Sequence, residues 1–294
     1  MRPLMTHGHG VPTQREQRGP PRRAAAVPTL SADPATDEQM DGTRTDEIAD
    51  GIIRISSWFP GAVRGRGITV NQFLVLADEP LLFHTGLRCS FPDTLAAVAR
   101  LVPPDRLRWL SFGHVEADEC GALGGFLAAC PRAEVAFGAL GCAMWLDDVL
   151  VGRPPRSLGP GEALDLGGRR VVLVPTPHAP HNQEAQVLYE ETTGTLLCGD
   201  LFAQLGAGPA LTSDRLVEQA LGAEDVLVSA PAGGTVPDVL DHLAGLAPRT
   251  LATMHGTSFE GDGAVALREL AGEWRTRPHR PTGGRLAAVD WLAV

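Results

Sequence analysis

The apolar positions of this chain fall into short runs, and the texture changes near Gly51. Residues 1–47 are rich in Pro, Arg, Gly, Thr and Asp with no periodic apolar pattern, which predicts a disordered leader. Beyond it, strand-like and helical patterns alternate. Residues 52–58 read as a strand, and residues 70–76 and 81–85 as two strands joined by the polar turn Ala77-Asp78-Glu79-Pro80. A helix is predicted over 94–101, a strand over 107–112, a helix over 119–129 ending before Pro131, a strand over 134–137 and a helix over 139–146. Residues 153–161 form a Pro/Gly-rich connection. The second half repeats the rhythm. It has strands at 170–174, 185–189 and 195–198, helices at 214–227 and 236–246, a strand at 250–253 and a helix at 264–274. Each half runs strands first and strand–helix units after. That order predicts an α/β (α+β) domain over residues 48–294, with two mixed sheets packed together and helices outside.

Composition narrows the function. Among 294 residues, 44% are apolar and 20% charged, an ordinary globular mix. Acidic residues outnumber basic ones, 35 to 25, and no basic patch stands out, so nucleic acid is not an expected partner. No apolar run is long enough to cross a bilayer and no secretory h-region opens the chain, so a cytoplasmic location is expected. The five cysteines form no CxxC pair, which fits reduced, buried thiols. His7 and His9 in the leader read at most as a weak metal motif.

The chemistry gathers at strand ends. Phe112-Gly113-His114-Val115-Glu116-Ala117-Asp118-Glu119 follows a strand and precedes a helix. In extended backbone, alternate residues point the same way, so His114, Glu116 and Asp118 can converge, and Glu119 can turn back toward them. Pro177-His178-Ala179-Pro180-His181 follows the strand ending at Val174, Asp200 follows the strand 195–198, and His255 follows the strand 250–253. Ligands gathered from four strand ends inherit the fixed spacing of a sheet. A solvated acidic loop with an incidental histidine is the bland alternative for the first segment, and the other three places weaken it.

These motifs, in this order, resemble the metallo-β-lactamase superfamily, and in particular its di-iron branch, the flavodiiron and oxygen-binding di-iron proteins. Hydrolases of the superfamily carry H-x-H-x-D-H and the di-iron branch H-x-E-x-D-H. This chain has H-x-E-x-D-E, so Glu116 matches the di-iron branch and Glu119 departs from both. Asp200 in Leu197-Cys198-Gly199-Asp200-Leu201-Phe202 resembles the bridging aspartate, and His255 the last histidine. Glu184 lies three residues after His181 and Tyr189 closes the next strand, a register that favours His181 over His178. His84 stands where the superfamily usually has Asp. The resemblance implies a four-layer αββα sandwich. It implies one metal held by His114, Glu116 and His181, a second held by Asp118, Glu119 and His255, and Asp200 between them. Glu119 either coordinates or points away. His84 and His178 become residues that orient a ligand or line its approach.

Three histidines and four carboxylates form a hard donor set that favours iron, with manganese and zinc as alternatives. The four carboxylate charges balance two divalent ions. A neutral site is a weak activator of water, which leans toward oxygen chemistry. The implied activity is binding, sensing or reduction of O2, NO or peroxide, with Asp118, Asp200 and Glu119 nearest the chemistry. Electrons would come from a separate partner such as a flavoprotein, and a homodimer is plausible by analogy alone. The alternative is a metal-dependent hydrolase of an ester, thioester, lactone or phosphoester. A third reading is a binding protein with a degenerate metal site.

Overall fold

Three apolar clusters organise the chain into four layers. The computed structural model describes residues 42–149, 153–230 and 235–277. The first sheet runs β1 (Thr43–Ala49), β2 (Ile52–Val63), β3 (Arg66–Val75), β4 (Leu81–Phe83), β5 (Trp109–Ser111), β6 (Glu134–Gly138) and β7 (Arg156–Leu158), in that spatial order. Its first four strands pair antiparallel and β4 to β7 pair parallel. Helices α1 (Phe91–Ala99), α2 (Ala117–Cys120), α3 (Leu123–Ala129) and a helical stretch α4 (residues 139–149) connect the parallel strands. The second sheet has the order β12 (Leu211–Thr212), β14 (Ser258–Glu260), β13 (Thr250–Ala252), β11 (Thr195–Leu197), β10 (Gln186–Glu190), β9 (Arg170–Pro175), β8 (Ala163–Asp165). Helices α5 (Val217–Leu227), α6 (Thr235–Ala244) and α7 (Gly263–Thr276) belong to this half.

Alternation along the strands decides which layer each residue serves. On β3 to β5, Leu74, Leu82 and Leu110 pack outward with Ala97, Val98 and Phe126 of the helices. Phe73, Val75, Leu81, Phe83 and Trp109 point the other way. They meet Val171, Leu173, Leu188, Leu197 and Ala252 of the second sheet. A third cluster seals the second sheet against α5, α6 and α7 through Val217, Ala220, Leu240, Leu243, Leu267 and Leu270. Both faces of each sheet are thus covered, and β3 is buried along nearly its whole length.

The expected two-sheet αββα arrangement is present, with local differences. Thr43–Ala49 is a strand although it begins inside the segment read as a leader, and residues 1–41, with His7 and His9, lie outside the described residues. It pairs with β2 from Thr43↔Ser57 onward, so tertiary pairing supplies what its polar sequence lacks. The helix expected over 119–129 is broken at Gly121–Ala122. Strand β7 lies in the region read as connection, and β8, β12 and β14 were not anticipated. No helix among the described residues is long and apolar enough to cross a membrane.

Candidate metal centre

The topology brings the expected loops to one edge. β9 and β10 are antiparallel, β10 and β11 antiparallel, β11 and β13 parallel. β9, β11 and β13 therefore run the same way, and the loops after them carry His181, Asp200 and His255. The loop after β5 joins from the first sheet, where the Gln186 amide donates to the Gly113 carbonyl at 2.8 Å. Two further contacts fix that loop. The Gln186 side-chain amide donates to the Phe112 carbonyl at 3.0 Å, and the Val115 amide donates to Glu184 at 3.2 Å.

His114, Glu116, His181 and Asp200 offer ligand atoms that all lie within 4.8 Å of one another. Glu116 Oε2 is 2.7 Å from His114 Nε2 and 3.0 Å from His181 Nε2. The two histidine Nε2 atoms are 2.8 Å apart. Asp200 Oδ2 is 3.8 Å from His114 Nε2 and 3.6 Å from His181 Nε2. Its other oxygen, Oδ1, faces His255 Nε2 at 3.4 Å, and Asp118 Oδ2 lies 3.3 Å from the same nitrogen. Asp200 thus stands between two groups of donors. His178 is exposed, and its backbone amide donates to the Asn182 carbonyl; the cluster is built with His181.

Glu119 is the correction. Its side chain is buried, but it does not join Asp118 and His255. Oε2 accepts the backbone amides of Gly113 and His114, both at 2.6 Å. Oε1 lies 3.1 Å from His114 Nδ1 and 3.5 Å from His84 Nε2, between the two rings. The reason is local. Asp118 and Glu119 open the short helix α2, and the turn aims Glu119 back under the loop that starts it. Gly113 leaves room: a Cβ there would meet both Glu119 oxygens at 2.9 Å. His84, at φ 66°, donates from Nδ1 to the Asn71 carbonyl at 3.2 Å, which leaves Nε2 facing Glu119.

Polar residues of β3, whose role the sequence did not reveal, hold the His255 loop. His255 Nδ1 donates to the Thr69 carbonyl at 2.8 Å, and the Gly256 amide donates to Thr69 Oγ1 at 2.7 Å. Asn71 Nδ2 donates to the carbonyls of Thr253 and Gly256, each at 2.9 Å, and buried Arg54 also donates to Gly256. Buried polar residues in these strands, Thr69 and Asn71 on β3 and Arg54 on β2, were the available signal.

The acids and imidazoles of the cluster shift one another strongly. Burial opposes charge on His114, yet Glu119, Glu116 and Asp200 outweigh it and push its imidazole up to about 12. Burial is likewise overcome at His255, which Asp118 and Asp200 hold well above the ordinary histidine value, and at His181, which Glu116 raises. The same contacts work in reverse on the acids. His114 and His181 hold Glu116 down at about 2; at Asp200 burial opposes ionisation, but the three histidines keep its carboxyl below the usual range. Asp118 Oδ1 and Asp200 Oδ1 are buried with no hydrogen-bond partner. Converging carboxylates, facing imidazole nitrogens and orphaned oxygens fit a divalent metal, which would replace the protons. Thiolates take no part: burial pushes Cys120 up to about 11, and Cys198, beside Asp200, is raised too.

Five of these side chains, Glu116, Asp118, His181, Asp200 and His255, line a cavity of about 1230 Å³, with Phe59, Ile68, Val70, Leu201, Phe202 and Trp274 among its walls.

Residues 68–223 match the family described as ODP family beta lactamase. The chain belongs to that family. Among curated relatives, this ODP-family chain is 27% identical to a rubredoxin-oxygen oxidoreductase of Megalodesulfovibrio gigas over 66% of its length and 50% of the relative's. It is 28% identical to a hydroxyacylglutathione hydrolase of Acidiphilium cryptum over 50% of its length and 58% of the relative's. Its fold superimposes on the metal-soaked flavodiiron core of Flv1 from Synechocystis with a TM-score of 0.70 at 23% identity, covering 79% of this chain and 60% of that one. The chain therefore spans about half the length of the first of these relatives.

Proposed function

We propose that this chain holds a two-metal centre, with iron the favoured metal, and binds, senses or reduces O2, NO or peroxide. The observation that carries the reading is Glu116. A carboxylate at the third position of the loop motif touches both His114 and His181, at 2.7 and 3.0 Å. The donor set is His114, Glu116, Asp118, His181, Asp200 and His255. Oxygen-rich ligation of this kind suits iron or manganese better than a histidine-dominated set. The metals would supply the redox chemistry. The residues of this chain fix the geometry: Glu119 orients His114, Thr69 orients His255, and Asp200 links the two halves. Electrons for turnover would come from a separate protein such as a flavoprotein. Metal analysis and ultraviolet-visible spectra before and after exposure to air test this. Iron with an oxygen-dependent band is expected; two zinc ions and no such band would reject it.

The cavity supports a second reading. About 1230 Å³ is far more room than a diatomic gas needs and is ample for a drug-sized molecule. A metal-dependent hydrolase of an ester, thioester, lactone or phosphoester would use that space, and the hydroxyacylglutathione hydrolase relative points the same way. A screen with generic esters, thioesters and phosphodiesters separates the readings. Turnover abolished by Asp200→Ala would favour hydrolysis.

A further inference from the structure

We propose that the centre fills unequally, with one metal held tightly by His114, Glu116, His181 and Asp200 and a second held loosely by Asp118, His255 and the other oxygen of Asp200. This rests on the two-metal reading above and names a consequence of where Glu119 has gone.

Three observations carry it. The first is donor count. Around the first position His114, Glu116 and His181 converge beside Asp200, whereas around the second only Asp118 and His255 do. Glu119, the residue after Asp118, could even the count, but its position forbids it. It is fully buried, Oε2 is taken by two backbone amides, and Oε1 lies between two imidazoles. Turning toward the second position would strand both amides, and buried donors without partners are costly.

The second observation is what stands behind each histidine. His114 Nδ1 faces the carboxylate of Glu119, while His255 Nδ1 donates to the neutral carbonyl of Thr69. A carboxylate partner makes the imidazole a stronger electron donor than a carbonyl does. Glu119 therefore strengthens the side that already has more ligands. The third is charge. One divalent ion at the first position is neutralised by Glu116 and Asp200. A second divalent ion then has only Asp118 left to balance it.

The test is an anaerobic titration of the metal-free full chain with Mn(II), with free Mn(II) read by electron paramagnetic resonance, repeated with Fe(II) by metal analysis after gel filtration. Two binding events are expected, their Kd values at least about ten-fold apart. At one equivalent the bound Mn(II) should give the signal of an isolated ion. His255→Ala should remove the weaker event and spare the tighter; His181→Ala should do the opposite. Two events with indistinguishable Kd values, or a coupled pair already present at one equivalent, would overturn the proposal while leaving the two-metal reading intact. Failure to bind either metal defeats that reading itself. The wild-type titration decides even if a variant does not fold.

Discussion

Replacing Glu119 by Gln keeps the size of a buried side chain, removes its charge and turns one acceptor atom into a donor. In the wild type, Oε2 takes two amide protons at 2.6 Å and Oε1 faces His114 Nδ1 at 3.1 Å. The Gln carbonyl can keep the two amides. Its NH2 then faces Nδ1. A protonated Nδ1 would leave two donors in contact, so the imidazole moves its proton to Nε2. Nε2 is the atom aimed at Glu116 and His181, and a protonated Nε2 cannot bind a metal. Loss of an orienting carboxylate typically costs 10–100-fold in metal affinity, or about 1.4–2.7 kcal/mol. The assay is competition against a chelator of known affinity, with long-range 1H–15N NMR reporting the His114 tautomer and circular dichroism confirming the fold. A folded variant with wild-type affinity and an unchanged tautomer would refute the role assigned to Glu119.

Three further outcomes follow from the same contacts. Gly113→Ala sets a methyl 2.9 Å from both Glu119 oxygens and 3.3 Å from the Gln186 carbonyl; overpacking of this kind costs about 1–3 kcal/mol in urea unfolding, and no loss would contradict the tight seat. His178→Ala should leave metal content unchanged while His181→Ala lowers it, and the reverse result would reassign the ligand. At Glu190, burial opposes ionisation but bonds from Thr193 and Thr192 outweigh it, so its pKa is lowered and its contribution is present above the ordinary glutamate value and lost as the pH falls toward the lowered one. Glu190→Gln should therefore cost about 1–2 kcal/mol at neutral pH and flatten stability below about pH 4.5 in acid denaturation.

How much of this could be read from the chain depended on length and locality. β3 and β4 were legible because their buried apolar residues flank the polar turn Ala77-Asp78-Glu79-Pro80. β7, β8, β12 and β14 were not, because two or three residues carry no period and their pairing comes from distant strands. The strand-end histidines and acids were legible since each loop inherits its aim from the strand before it. His181 was separable from His178 through Glu184, which does hold the facing loop at Val115. Glu119 was not, because its target depends on the space that Gly113 leaves and on His84 arriving from another strand.

The polar stitching of β3 has a mechanical consequence. Three of the six candidate ligands, His114, Glu116 and Asp118, come from the first sheet, and three, His181, Asp200 and His255, from the second. Asn71 and Thr69 tie the same two sheets along the same edge. An ion bound there acts as a rivet between two plates. The plates cannot slide or splay at that edge without tearing its coordination, so occupancy would set how far the sandwich can breathe.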